Sequence, residues 1–298
     1  MEVLTAKLGF CMGIERAYRG MNARALTQAP FTVTHQNSAS PFDTLRRIER
    51  REERLLARYP GLAKLSVKYD PGAIGPDEPV VLGFHGLAPQ DKADMQARGA
   101  ALLDDLVCPF IEKLDRVVER HVKDGFDIAM VGSPDNHHLR TARQIAAENG
   151  RRCHAIVRAE DIDALCGAED APVVLVGEVT GNTETFRATI ERIETLKLPI
   201  KVRKTMCADS HARQREASEL ARRADVVVLV DDGGDGARSA FEVCARMNAR
   251  VHRVRGAQEI EAAWFTDAAR VAVVGGILIP DWTIAEVADR LRTMDSAP

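Results

Sequence analysis

A strand, a cysteine and an amphipathic helix follow one another three times in this chain. The apolar run 3–10 leads into Cys11 and then the helix-patterned stretch 14–26. Residues 101–107 lead into Cys108 and 111–122, and residues 200–206 into Cys207 and 213–224. The three cysteines lie 97 and 99 residues apart. Repetition at a fixed period marks one structural unit used several times. Three α/β units are therefore expected, each bringing a thiol to a common centre.

Short apolar strands and helical stretches alternate inside each unit, which implies parallel sheets joined by right-handed crossovers. Strands are expected at 31–34, 65–69 and 80–84, then 126–131, 154–158 and 172–176, then 226–230, 251–254 and 271–274. A single helix is expected from Pro41 to about Arg58. The third unit lacks a closing strand of its own, and the N-terminal strand is the spare piece. The units are read as 12–107, 108–206, and 207–298 completed by 1–11. Ligands of such sheets sit outside the carboxyl ends of the strands. The loops 35–40, 85–86, 132–138, 177–182, 231–237 and 275–280 should then face the cysteines.

Composition narrows the chemistry. A chain of 298 residues suits two or three domains, and a net charge of −3 offers no basic face for nucleic acid or a membrane surface. There is no basic leader followed by a long apolar run, and no window of about 18 apolar residues. Six cysteines without dense disulfide spacing point to a reducing cytoplasm, where clustered thiols serve metals or catalysis. Three converging thiolates could hold a [4Fe–4S] cluster with one iron left open to a substrate oxygen. They could instead bind zinc, or be reduced core cysteines. Cys153, Cys166 and Cys244 fall outside the repeat and read as core thiols.

The quoted residues also carry a family resemblance. Gly9-Phe10-Cys11-x-Gly13-x-x-Arg16-Ala17 resembles the opening motif of the 4-hydroxy-3-methylbut-2-enyl diphosphate reductases, the LytB or IspH family. Phe84-His85-Gly86-Leu87, Cys108-Pro109, Cys207 with Arg213-Gln214, and Pro280-Asp281 resemble later family motifs in the same order. The resemblance implies a trefoil-like protein of three α/β units around a [4Fe–4S] cluster. Cys11, Cys108 and Cys207 would be its ligands. It implies a reductase that removes an allylic hydroxyl with electrons from a ferredoxin- or flavodoxin-type donor.

Several loops depart from the family pattern. Ala39 stands where a diphosphate-gripping histidine belongs, although His35 keeps the leading one. The second unit's loop reads Asn136-His137-His138 with no glutamate in place. The family's threonine falls near Val179 or Thr180, its Ser-Ser-Asn cradle becomes Gly234-Asp235-Gly236, and its last serine becomes Leu278. Asp231, Asp232, Asp235 and Glu178 would repel a diphosphate in a dry pocket. The expectation is a cluster oxidoreductase acting on another oxygenated substrate. The genuine diphosphate reductase, a non-redox dehydratase and a cluster-bearing sensor or scaffold are the rivals. His85, His137 and Glu178 are the catalytic candidates, with Glu178 as the replacement proton donor. His35, Asn37, Asn136, Thr180, Asn182, Asp235 and Arg238 are the substrate-binding candidates. Asp231 and Asp232 are also read as possible caps of the helix after them.

Overall fold

The structure is a computed structural model that describes residues 1–6, 9–28, 30–35, 40, 42–165 and 171–295. Asn37, Ala39 and Cys166 lie outside the described residues. The described strands are β1 (Glu2–Thr5), β2 (Thr32–Thr34), β3 (Ser66–Val67), β4 (Pro79–Leu82), β5 (Ala101–Leu103), β6 (Asp127–Val131), β7 (Cys153–Ile156), β8 (Val173–Gly177), β9 (Lys201–Arg203), β10 (Val226–Val230), β11 (Val251–Val254) and β12 (Arg270–Gly275). The helices are α1 (Met12–Thr27), α2 (Thr44–Glu49), α3 (Glu53–Arg58), α4 (Pro89–Ala97), α5 (Pro109–Lys123), α6 (His137–Glu148), α7 (Thr183–Thr195), α8 (Ala208–Arg223), α9 (Asp235–Met247) and α10 (Asp281–Asp295). The chain divides into two compact units, Cys11–Glu112 and Met1–Phe10 with Lys113–Pro298.

The Cys11–Glu112 unit holds one parallel sheet in the order β3-β2-β4-β5. Val33, Val80, Val81 and Leu82 are buried in it, as the continuous apolar runs of parallel strands require. On α1, Ile14, Ala17, Tyr18, Met21 and Ala25 share a buried face at helical spacing. Tyr18 carries its hydroxyl into this face and donates to the Thr44 carbonyl at 2.9 Å. The single helix expected from Pro41 to Arg58 is two. Arg51 takes a left-handed backbone (φ 52°), and its amide closes onto the Ile48 carbonyl at 3.0 Å, ending α2. Arg47 then bonds Glu52 across the break at 2.5 Å.

The other unit holds two parallel four-stranded sheets. One runs β7-β6-β8-β9, and the other runs β1-β12-β10-β11. In the second, Glu2 to Thr5 pair with Arg270 to Val273, so the first and last strands of the chain are neighbours. The central strands β6, β8 and β10 are buried throughout. All three sheets are parallel and carry helices, so the fold is α/β as the alternation predicts. The strands stop short of the cysteines, however. β5 ends at Leu103 and a turn from Asp104 to Val107 intervenes before Cys108. β9 ends at Arg203, and Thr205 instead bonds the Gly177 backbone at 2.9 and 2.6 Å. Among the described residues, no helix is long and apolar enough to cross a membrane.

Candidate functional site

In the Cys11–Glu112 unit, two of the repeated cysteines are built into one local frame. Cys11 is buried and caps α1, its carbonyl accepting from Glu15 N at 3.0 Å. Cys108 is also buried and immediately precedes α5. Its amide donates to the Phe84 carbonyl at 2.9 Å, and its carbonyl accepts from Ile111 and Glu112. Gly13 lets these parts meet, because a Cβ there would stand 3.0 Å from Cys108 Sγ. Arg16 reaches from α1 to the turn before Cys108, donating to the carbonyls of Val107 (2.9 Å) and Asp105 (2.5 Å). Burial pushes the Cys108 thiol up from its usual pKa, opposed by bonds from the Phe110 and Ile111 amides. Gly13→Val is expected to overpack this junction and lower stability by about 1–3 kcal/mol. Thermal denaturation checks it, and an unchanged midpoint would contradict the contact.

His85 follows β4 in the same unit, on a tight turn completed by the left-handed Gly86 (φ 68°). A side chain on Gly86 would also press on Val107, 3.2 Å away. The His85 ring lies 4.0 Å from that of Phe84 and, edge to face, 5.0 Å from that of His35. His35 is fully buried, and its Nε2 bonds the Asp43 carboxylate at 3.0 and 3.2 Å. Asp43 carries no motif and falls inside the single helix expected from Pro41, so the sequence did not single it out; in the structure it caps α2.

In the other unit, loops after β6, β8 and β10 assemble a buried polar network. Glu178 is 1 % exposed and accepts from the Thr180 amide at 3.0 Å and the Thr180 hydroxyl at 3.1 Å. Burial, with the Asp235 carboxylate adding to it, pushes Glu178 up to about 7. His138 Nε2 stands 3.8 Å from Glu178 Oε1. Burial first, then the neighbouring His137, holds His138 well below the usual histidine range. At neutral pH the pair is thus a neutral imidazole beside a carboxyl near its midpoint, rather than a fixed ion pair. His138 meets Glu178, whereas the sequence favoured His137; that ring is half-buried and packs on His138.

Asn136 caps α6 by accepting from His138 N and Leu139 N, and its amide donates to Asp235 at 2.5 Å. Asn182 caps α7 in the same way and donates to Glu242 at 2.7 Å. Asp235 in turn pairs with the exposed Arg238 at 3.3 Å. Glu178, Asn182, Asp235, Arg238 and Glu242 line a cavity of about 120 Å³. Thr180, the remaining binding candidate of these loops, is held by Glu178.

The carboxylates expected to repel an anion are already engaged. Asp231 pairs with Arg253 at 2.7 Å, and fully buried Asp232 accepts from Gly234 N (2.7 Å) and Leu278 N (2.9 Å). Neither caps α9, whose cap residue is Gly234 with no side-chain bond. Asp232 therefore ties the loop after β10 to the loop after β12, a role no local pattern announces.

Cys207 caps α8, is buried, and donates its amide to the Val179 carbonyl at 2.9 Å, next to Glu178. Gln214 accepts from Thr183 N at 3.0 Å and donates to the Gly181 carbonyl at 2.8 Å, fixing α8 to the same loop. Arg213 donates to the Phe10 carbonyl at 3.2 Å. None of the three repeated cysteines is in a disulfide, nor is fully buried Cys244, which burial pushes up to about 12. Among the described residues, no three His, Cys, Asp or Glu side chains gather closely enough to share one metal ion.

A family model described as LytB protein matches residues 3–292. The 4-hydroxy-3-methylbut-2-enyl diphosphate reductase of Geobacter metallireducens is 26 % identical over 303 residues, covering 100 % of this chain and 99 % of the relative. The enzyme of the same name from Aquifex aeolicus is 25 % identical over 215 residues, covering 72 % and 73 %. Among solved structures, the E-1-hydroxy-2-methyl-but-2-enyl-4-diphosphate reductase of Plasmodium falciparum superposes with a TM-score of 0.78. It is 14 % identical, and the match covers 100 % of this chain and 88 % of that one. This likeness shows a common fold.

Proposed function

This chain belongs to the LytB protein family, and from that premise we infer that it is an iron–sulfur reductase acting on 4-hydroxy-3-methylbut-2-enyl diphosphate. The end-to-end match to reductases of that name carries the reading. The engaged carboxylates support it, because Asp231 and Asp232 spend their charge on Arg253 and on backbone amides. We read the chain as three α/β units, 12–107, 108–206, and 207–298 with strand 1–11, with one of the three cysteines at each boundary between them. It works in a reducing cytoplasm with a ferredoxin- or flavodoxin-type donor.

The donor set suits a [4Fe–4S] cluster. Cys11, Cys108 and Cys207 are reduced, buried and each placed at the start of a helix, where backbone amides favour a thiolate. Bound there, the cluster would pass two electrons, one at a time, from the external donor and would offer an open iron able to polarise the leaving hydroxyl. The chain's own residues do the rest. His85 contacts the substrate from the end of β4. Glu178, protonated about half the time near neutrality, holds the proton that leaves with the hydroxyl. Asn136 and Asp235 fix the loop against which Glu178 sits.

A second reading, an altered oxygenated substrate, is favoured by buried Leu278 and by Asp235 at positions where the family carries serine hydroxyls. One experiment separates the two. Protein reconstituted anaerobically should carry about four irons per chain. With a viologen reductant it should convert the diphosphate to dehydroxylated products detected by mass spectrometry. A loaded protein that leaves the diphosphate untouched would favour the altered substrate, and one that never takes up iron would exclude both.

A further inference from the structure

We propose that Asp43 is a positioning residue, and that His35 is its link to His85 rather than a group that touches substrate. The inference rests on His85 being a pocket residue of the reductase proposed above. Four observations within one unit carry it. His35 and Asp43 are both fully buried. His35 Nε2 lies 3.0 and 3.2 Å from the two Asp43 oxygens. The His35 ring stands edge to face with that of His85, centroids 5.0 Å apart. On the far side, His35 Nδ1 has no hydrogen-bond partner and would lie 2.9 Å from a Cβ on Gly83.

Those contacts fix the chemistry of the ring. A carboxylate only accepts, so the hydrogen of the shared bond sits on His35 Nε2. Nδ1 then needs no hydrogen of its own, which matches a surrounding that offers it no acceptor. Asp43 is itself held by accepting from Leu45 N (2.9 Å) and Arg46 N (3.3 Å), so the carboxylate cannot swing away without uncapping α2. Helix start, carboxylate and imidazole thus form a rigid series ending at the face of His85. Phe84 bounds the same ring from its other neighbour position, 4.0 Å away. A buried His–carboxylate pair that sets the orientation of the next group resembles, in logic, the orienting partner of a catalytic histidine.

Asparagine separates capping from positioning. In Asp43→Asn the amide oxygen still caps α2, because asparagine caps as well as aspartate. The amide nitrogen, however, donates to His35 Nε2 and forces the hydrogen onto Nδ1, against Gly83. Ring-nitrogen NMR of the oxidised holoenzyme should show His35 changing from the Nε2–H to the Nδ1–H tautomer, with the His85 ring resonances displaced. The kcat/KM for the diphosphate should fall about 10–100-fold, the range for partners one shell out. His35→Gln should displace the His85 resonances in the same way and serves if the first variant does not fold. An unchanged His35 tautomer overturns the proposal. So does a switched tautomer that leaves the His85 resonances and the kinetic constants at their wild-type values. Displaced His85 resonances in a protein that never turns over the diphosphate would support the positioning role and overturn the substrate instead.

Discussion

Cys207→Ser is expected to leave a protein that folds its sheets, loses the brown colour of a cluster and reduces substrate more than about 100-fold more slowly. Partners that only orient a metal ligand are worth 10–100-fold, so a ligand itself is worth more. Cys207 is buried at the start of α8, its amide committed to Val179 and its helix tied to the 178–183 loop through Gln214. The informative control is Cys244→Ala. That thiol is equally buried but lies inside α9 against the Ala217 carbonyl. Its removal should cost on the order of 1 kcal/mol, as for deleting a buried methylene, with iron content unchanged. Iron analysis and the visible absorbance band decide the matter. Equal iron in the two variants would mean that Cys207 is no ligand.

The second large effect is a trade between stability and rate at Glu178. Its pKa stands near 4.5 in an unfolded chain and about 7 in the folded one. The folded state therefore binds the proton more tightly. Between those two values stability falls as pH rises, and above about 7 the full cost is present, on the order of 3 kcal/mol. Glu178→Gln removes this titration. The variant should be more stable than the parent above pH 7 and lose the pH dependence between about 4.5 and 7. If Glu178 is the proton donor, the same variant should turn over about 10²–10⁴-fold more slowly. Denaturant unfolding at pH 5 and pH 8, beside the rate profile, reads both arms. A variant that is less stable at pH 8 but fully active would make Glu178 only a loop partner of Thr180 and Asn136.

What the sequence revealed and what it concealed divide along a physical line. Period and composition are local properties, so the buried runs of β4, β6, β8, β10 and β12 were legible, as was the helix start after each cysteine. The break at Arg51 was not, because the stretch is charged and helix-favouring throughout and only the left-handed turn reveals the stop. The candidate site was legible where chemistry follows a strand end, as at His85 and Glu178. It was illegible where one side chain selects its partner across the fold. That His138 rather than His137 stands beside Glu178 depends on which ring is turned inward on α6. Asp232 looked like a helix cap and is a tie between two loops. Asp43 falls inside the single helix expected from Pro41, yet it caps α2 and also grips a histidine.

The pairing of β1 with β12 has a consequence for how the chain is made. Synthesis delivers Glu2–Thr5 long before Arg270–Gly275, so β1 waits without its partner strand while the intervening chain is made. Its pairing with β12 is a long-range closure, which is slow to form. Cys11 lies a few residues beyond that waiting strand. A chain cut short before β12 keeps an exposed strand that invites association with others.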